Sequence, residues 1–135
     1  MTLKDELLKE NQEIVDTIEV LTHLISHNEL RKNPVFCELL KKFSKTVNDH
    51  LTHEGREAYR EMLPQNDSGA HEVAVQFINN SSQLDKIMKS YAKHWCNAPH
   101  DFSTNEAFID DTKNIFHLVT NRIKLEQDKL FPHIN

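Results

Sequence analysis

The chain has few glycines and prolines, the residues that break helices, and it has no glycine-rich phosphate-binding loop. It contains two glycines and four prolines among 135 residues. Two isolated glycines exclude a glycine-rich phosphate loop, and no serine or cysteine nucleophile arrangement is present. With 38% hydrophobic and 27% charged residues, the composition is typical of a globular, helix-rich protein. The length predicts a single domain, residues 1–135, with one hydrophobic core.

The chain also lacks an excess of positive charge and any long apolar run. Its formal net charge is −5, with the basic residues scattered among acidic ones, so nucleic acid is not an expected partner. No stretch approaches the roughly 18 consecutive apolar residues that a membrane span needs, and the first residues carry no apolar signal core. We therefore expect a cytoplasmic protein with no membrane partner. Cys37 and Cys96 are too few for a disulfide framework, and we expect them to be reduced, packed thiols.

Apolar residues recur at three- and four-residue spacing in four segments, which predicts four amphipathic helices. A breaker cluster from Leu63 to Gly69 separates two helical hairpins, and a loop from Asn97 to Ser103 closes the second. The predicted fold is an all-α, antiparallel up-down-up-down four-helix bundle. The helices are expected at about residues 3–27, 34–59, 70–95 and 108–131. The inner face of the third is read as His71, Ala74, Ile78, Leu84, Met88, Tyr91 and Trp95.

Several polar residues continue or interrupt these apolar stripes at one height of the bundle. Residues at equal distance from the turn of an antiparallel hairpin lie level. His50 is thus expected to face a position near 12, close to Asn11. Glu126 is expected to face a position near 72, close to His71. His50 and Glu54, four residues apart, share one helix face and can share a ligand.

Burial of Glu54 and Glu126 requires a positive charge nearby, because an unpaired carboxylate in a core costs several kcal/mol. A metal cation is one candidate, since bundles hold metals through inward-facing imidazole and carboxylate groups. Arg122, one helical turn before Glu126, is the other, because it can pair with either carboxylate. His53 and Glu57 have the same four-residue spacing, but we interpret that pair as accidental and outward-facing.

At these residues the chain resembles the hemerythrin-like family of HHE cation-binding domains, four-helix bundles whose histidines and glutamates bind a pair of non-haem irons. The segment His50-Leu51-Thr52-His53-Glu54 is similar to the family's His-x-x-x-Glu on helix two. The segment from Lys124 to Pro132 is similar to the glutamate and Leu-Phe-Pro that close helix four. The resemblance implies iron as cofactor, with His50 and His71 as terminal ligands and Glu54 and Glu126 as bridging carboxylates.

The chain departs from the family pattern at two positions, where Asn11 and Arg122 stand in place of histidines. Asparagine is a weak oxygen donor to iron, and a guanidinium cannot ligate a metal. Three states stay open: a mononuclear site, a weakened dinuclear site, or a metal-free bundle braced by Arg122.

Further potential ligands gather at the opposite pole of the predicted bundle. They are His23, His27, His94, Cys96 and His100. A second metal or haem site there is conceivable, but solvated histidines at helix ends are the favoured interpretation. The leading functional hypothesis is a protein that senses or binds oxygen, nitric oxide or iron. A metal-free protein-interaction or regulatory module is the alternative, and an enzyme ranks third because no substrate-positioning group is readable.

Overall fold

The computed structural model describes residues 1–27, 35–65, 69–96 and 106–134. These residues form four long helices and no strand, which confirms the predicted all-α bundle. The helices are α1 (Leu3–Ile25), α2 (Val35–Glu54), α3 (Ala70–Cys96) and α4 (Glu106–Leu125). Helix α2 continues through a π-helical turn, Gly55–Tyr59, and a short segment, Arg60–Met62. Helix α4 continues through a π-helical turn, Glu126–Leu130, and a 3-10 turn, Phe131–His133. The expected loop from Asn97 to Ser103 lies outside the described residues.

Local side-chain and backbone chemistry sets two of the helix starts. At α1, the Thr2 hydroxyl accepts a hydrogen bond from the Asp5 amide, and the Asp5 carboxylate accepts one from the Thr2 amide. This reciprocal capping satisfies amide groups that have no partner within the helix. Before α3, Gly69 adopts a φ of 74°, a left-handed conformation that glycine reaches without steric cost. The second hairpin therefore begins at a glycine that the turn requires.

The core consists of two apolar clusters separated by a polar layer. One cluster includes Ile14, Val47, Leu84 and Val119, and the other includes Leu7, Ala58, Phe77 and Leu130. Each helix passes from one cluster to the other. The polar layer consists of the buried side chains of Asn11, His50, Glu54, Arg122 and Glu126. Thr112 is also buried, but it forms a hydrogen bond with Tyr91 inside the first cluster.

Helix α3 buries a different residue from the one expected near the polar layer. Phe77 is 6% exposed, whereas Ile78 is 38% exposed, so the assignment of Ile78 to the inner face is wrong. The buried positions Ala74, Phe77, Leu84 and Met88 fit alternating three- and four-residue steps, with Ser81 between Phe77 and Leu84. Ile78 falls one position outside that series.

Cys37 and Cys96 form a disulfide with a Cα–Cα distance of 5.7 Å. The expectation of two reduced thiols is therefore wrong for this structure. Cys37 lies near the start of α2 and Cys96 at the end of α3, and antiparallel packing brings these ends together. Counting cysteines gave no information about this proximity. In the described part of the chain, no helix combines the length and apolar character needed to cross a membrane.

Candidate metal centre

Helices α2 and α4 bring three potential metal ligands together in the polar layer. His50 is 3% exposed, and both Glu54 and Glu126 are fully buried. The His50 Nε2 atom lies 2.8 Å from Glu126 Oε1 and 3.5 Å from Glu54 Oε2. One ligand atom from each residue lies within 4.8 Å of the others. Among residues 1–27, 35–65, 69–96 and 106–134, no other set of three or more such side chains converges in this way.

Both glutamates stand where an α-helix widens into a π-helical turn. Glu54 immediately precedes the turn Gly55–Tyr59, and Glu126 begins the turn Glu126–Leu130. A π-helical turn brings residues five apart onto the same face, and such turns are frequent at functional sites. The Tyr59 hydroxyl consequently donates a hydrogen bond to Glu54 Oε1, five residues earlier. Sequence periodicity missed Tyr59, because a regular α-helix would have turned it away.

The Arg122 guanidinium lies between the two carboxylates. Its Nε donates to Glu126 Oε2 at 2.9 Å, and one terminal nitrogen donates to Glu54 Oε1 at 2.6 Å and to the Tyr59 hydroxyl at 2.7 Å. The other terminal nitrogen donates to the Phe77 carbonyl at 3.2 Å and to Asn80 Oδ1 at 2.6 Å. The guanidinium also lies over the Phe77 ring, 4.7 Å from its centroid. Arg122 is thus a structural cation inside the polar layer.

The two oxygens of each buried carboxylate have different neighbours. Glu54 Oε1 and Glu126 Oε2 accept hydrogen bonds from Arg122, whereas Glu54 Oε2 and Glu126 Oε1 face His50 Nε2. Glu54 Oε2 has no hydrogen-bond partner within the described residues, and neither amide atom of Asn11 has one. Buried polar atoms normally have partners, because leaving one without a partner costs free energy. The chemistry of this face suits an additional cation or polar ligand.

The protonation states follow from burial and from the close approach of opposite charges. Burial alone would lower the pKa of His50, but the carboxylates of Glu126, Glu54 and Glu10 outweigh it and raise that pKa to about 9. Burial, with repulsion from Glu126, raises the pKa of Glu54 to about 7. Burial also acts to raise the pKa of Glu126, but His50 and Arg122 outweigh it and hold that pKa below its usual value. Without a metal, the layer contains an imidazolium and a guanidinium facing two carboxyl groups.

A carboxylate on α1 connects the buried histidine to the surface. Glu10 Oε1 lies 2.7 Å from His50 Nδ1, and Glu10 Oε2 lies 2.7 Å from His53 Nδ1. The Nε2 of His53 lies 3.6 Å from Glu6 Oε2. His53 therefore packs against α1, although sequence analysis interpreted it as outward-facing. The signal was present in the sequence, because Glu6 and Glu10 are one turn apart on the helix that His50 was expected to face.

The structure does not bring His71 to the same group. His71 is exposed in the first turn of α3, and its Nδ1 donates a hydrogen bond to the Leu63 carbonyl at 2.7 Å. Hairpin arithmetic gave neither its height nor its orientation, because Arg122 contacts α3 at Phe77 and Asn80, six and nine residues after His71. Asn11 and Arg122, the two departures from the family pattern, are both buried at 1% and 3% exposure.

The opposite pole does not form a comparable site among the described residues. The rings of the exposed His23 and His27 are in edge contact with centroids 4.7 Å apart, and His94 packs on Trp95. Cys96 is consumed by the disulfide. The remaining candidate, His100, lies outside the described residues.

Histidine and glutamate side chains that project inward from facing helices are the groups by which helical bundles hold metal ions. The chain belongs to the hemerythrin family: the model of the Hemerythrin HHE cation binding domain matches residues 2–134. No curated protein and no solved structure matches the chain. The family and the His50, Glu54 and Glu126 group together point to metal binding.

Proposed function

We propose that this protein binds a single non-haem iron ion through His50 Nε2, Glu54 Oε2 and Glu126 Oε1. The observation that carries the proposal is the division of carboxylate oxygens described above. Arg122 bonds to Glu54 Oε1 and Glu126 Oε2, which we call the outer oxygens. The inner oxygens, Glu54 Oε2 and Glu126 Oε1, face His50 Nε2. Asn11, whose buried amide has no partner among the described residues, offers a further polar group on the first helix.

The spacing of these atoms suits one ion. Metal–ligand bonds of about 2.0–2.2 Å place neighbouring ligand atoms roughly 3.0–3.5 Å apart in tetrahedral or octahedral geometry. The observed separations of 2.8 and 3.5 Å are close to that range. Replacing the proton on His50 Nε2 by a cation would need only small side-chain movements. The Glu10 carboxylate would hold the other ring nitrogen, an arrangement common behind metal-bound histidines.

Arg122 argues against a second ion. Its guanidinium supplies positive charge to the outer oxygens of Glu54 and Glu126, which would otherwise be free to bind a second cation. A guanidinium has no lone pair to offer and would repel an adjacent cation. His71, which the family resemblance implied as a ligand, bonds to the Leu63 carbonyl and is not part of the group that His50, Glu54 and Glu126 form. One ion is therefore the expected stoichiometry.

The proposed role is binding or sensing of iron, oxygen or nitric oxide. Bound iron would supply coordination positions for a small diatomic ligand, since the protein offers fewer ligand atoms than the metal accepts. The protein's own contribution is a buried layer with fixed hydrogen bonds and low exposure to water. A catalytic role would need a group that positions a substrate, whereas binding a metal ion or a small ligand does not. We therefore prefer a binding role.

A metal-free protein-interaction or regulatory module is the second candidate, and one observation favours it. Every N–H-bearing nitrogen of the Arg122 guanidinium already has an acceptor, and both carboxylates already share its charge. The polar layer would then be stabilised by the Arg122 guanidinium and the His50 imidazolium, with no metal ion.

Iron content per chain separates the two candidates. After anaerobic reconstitution with ferrous iron and removal of excess metal, we expect about one bound iron per chain by elemental analysis. Two irons would contradict the assigned role of Arg122. No retained iron would refute the mononuclear site and favour the metal-free module.

A further inference from the structure

The Glu10 carboxylate bridges two histidines of α2. One oxygen lies 2.7 Å from His50 Nδ1, and the other lies 2.7 Å from His53 Nδ1. A carboxylate accepts hydrogen bonds but donates none, so each Nδ1 is held as the N–H donor. The Nε2 atom of each ring is thereby directed away from Glu10. A single side chain thus orients two potential metal ligands at once.

The two Nε2 atoms face carboxylates in two different environments. His50 Nε2 faces Glu54 and Glu126 inside the core, while His53 Nε2 lies 3.6 Å from Glu6 Oε2 at the surface. The His53 side chain is 21% exposed and that of Glu6 is 46% exposed, so water reaches both. His53, with Glu6 facing its Nε2 and Glu10 holding its Nδ1, thus repeats at the surface the arrangement found around His50.

We propose that His53 Nε2 and Glu6 form a second, outer binding position for a divalent transition-metal ion. The 3.6 Å separation is close to the spacing of two ligand atoms around one metal. Imidazole and carboxylate are ligands for iron, zinc and similar ions, and water completes the coordination at an exposed position. With only two protein ligands, this position binds more weakly than the core site and exchanges its ion more readily.

The outer position also has a role in loading the core, a role that rests on the proposed function of the core site. Glu54 and Glu126 are fully buried, so an ion must pass the surface of the bundle to reach them. Glu10 is 30% exposed and contacts both His50 and His53, which places it between the outer position and the core. Negative charge from Glu6 and Glu10 raises the local concentration of cations at this entrance.

Zinc titration of the intact protein, followed through the nitrogen resonances of the histidine rings by NMR, tests the outer position. We expect Zn²⁺ to shift Nε2 of His53 as well as Nε2 of His50, with the His53 response occurring at higher Zn²⁺ concentration. In Glu6→Gln the His53 response is lost and the His50 response is retained. Glu13→Gln, which removes the same charge from an exposed position on α1, leaves both responses intact.

The variant Glu10→Gln tests whether Glu10 orients both histidine rings. A glutamine offers only one acceptor oxygen, so it cannot hold both rings, and both responses weaken, that of His50 by about 10- to 100-fold in affinity. A His53 Nε2 resonance that stays unmoved at saturating Zn²⁺, or that moves equally in Glu6→Gln, would overturn the outer position. A response at His53 without one at His50 would instead refute the core site and leave the outer position standing.

The loading role has its own measurement. In Glu6→Gln we expect the rate of Zn²⁺ uptake by the core to fall about tenfold, because the charge that concentrates cations is reduced. The final occupancy of the core at saturating metal stays unchanged. A rate equal to that of Glu13→Gln would show that ions enter elsewhere and would overturn the loading role.

Discussion

Arg122 and Glu54, 68 residues apart in sequence, form a buried ion pair of 2.6 Å at the centre of the bundle. By the resemblance to the hemerythrin pattern, Arg122 stands in place of a histidine, and its guanidinium pairs with the two carboxylates that we propose as metal ligands. A guanidinium in place of an imidazole supplies a permanent charge and no ligand atom. The chemical identity of residue 122 is expected to determine how many cations this core accepts.

Restoring the two missing histidines should raise the metal stoichiometry. In the double variant Arg122→His with Asn11→His, the outer oxygens of Glu54 and Glu126 lose their guanidinium and gain imidazole neighbours. We expect bound iron to rise from one to two ions per chain, measured by elemental analysis after reconstitution. The control Arg56→His, at an exposed position, should stay at one. A double variant that still binds one ion would contradict the assignment of Arg122 as the substitute for a cation.

Removing the charge of Arg122 without replacing it should destabilise the metal-free protein. In Arg122→Leu two fully buried carboxyl groups lose one of their two cationic partners and keep only His50, and breaking a buried pair in this way costs roughly 3–5 kcal/mol. Urea unfolding in the presence of a chelator measures the loss. Arg60→Leu, at an exposed position, is the matched control and should change stability little. Equal stability of the two variants would argue that the ion pairs contribute nothing.

Glu54 should be essential for metal affinity if its Oε2 is a ligand. Glu54→Gln keeps the size of the side chain but removes its charge, so the affinity for Fe²⁺ should fall by at least the factor of about 10 to 100 seen for groups behind the ligands. Glu57→Gln, an exposed change on the same helix segment, should leave the affinity intact. Competition with a metal-binding dye gives both values. Unaltered affinity in Glu54→Gln would remove this residue from the proposed ligands.

The stability of the chelator-treated protein should depend on the protonation of His50. The pKa of His50 in the folded protein is about 9, against an ordinary value of 6.5. The folded state therefore binds more protons in this interval, and its stabilisation is complete below pH 6.5 and lost as pH rises through 9. We expect the free energy of unfolding to fall by about 3 kcal/mol over that range, measured by urea titration. The raised pKa of Glu54, about 7, adds a fall in the same direction from pH 4.5 to 7.

His50→Asn is the control for this pH dependence. Without the imidazole, the decline between pH 6.5 and 9 should largely disappear, even if the variant is less stable throughout. A decline of the same size in His50→Asn would assign the effect to another group.

The Cys37–Cys96 disulfide should contribute stability at the pole farthest from the candidate site. It links residues 59 apart in sequence, and disulfides of this kind typically contribute about 2–4 kcal/mol, mainly by restricting the unfolded chain. Reduction should lower the urea midpoint, and the fluorescence of Trp95, the single tryptophan of the chain, reports the transition. The double variant Cys37→Ser with Cys96→Ser should have the same urea midpoint as the reduced protein, and reductant should not change that midpoint. A wild-type midpoint that reductant leaves unchanged would contradict a stabilising bridge.

Sequence periodicity was sufficient to predict the four helices and the positions of His50, Glu54 and Glu126 in the polar layer. It did not predict where that layer meets α3, because Arg122 contacts Phe77 there and not His71. Apolar residues at helical spacing make His50, Glu54 and Glu126 conspicuous, because each continues an apolar stripe. Arg122 was recognisable for the same reason, since it lies one turn before Glu126. These residues could be predicted because burial is encoded in the spacing of neighbours along one helix.

Contacts that depend on departures from regular helix geometry could not be predicted in the same way. Tyr59 reaches Glu54 only because a π-helical turn changes the repeat from four residues to five. Phe77 and Ile78 are a different case, because the three- and four-residue steps from Ala74 to Met88 select Phe77 once polar Ser81 is accepted as a member of the series. The bridge from Glu10 to His53 depends on the rotation of α1 against α2, which spacing along a single helix leaves undetermined.

The polar layer between two apolar clusters also restricts how the helices can slide along one another. A helix displaced by one turn would bring Arg122 or Glu126 against hydrocarbon and leave its partner charge alone, at a cost of several kcal/mol. Aliphatic residues in the same positions would tolerate such a shift with little penalty. The layer therefore fixes the axial register of the bundle, with or without a bound ion.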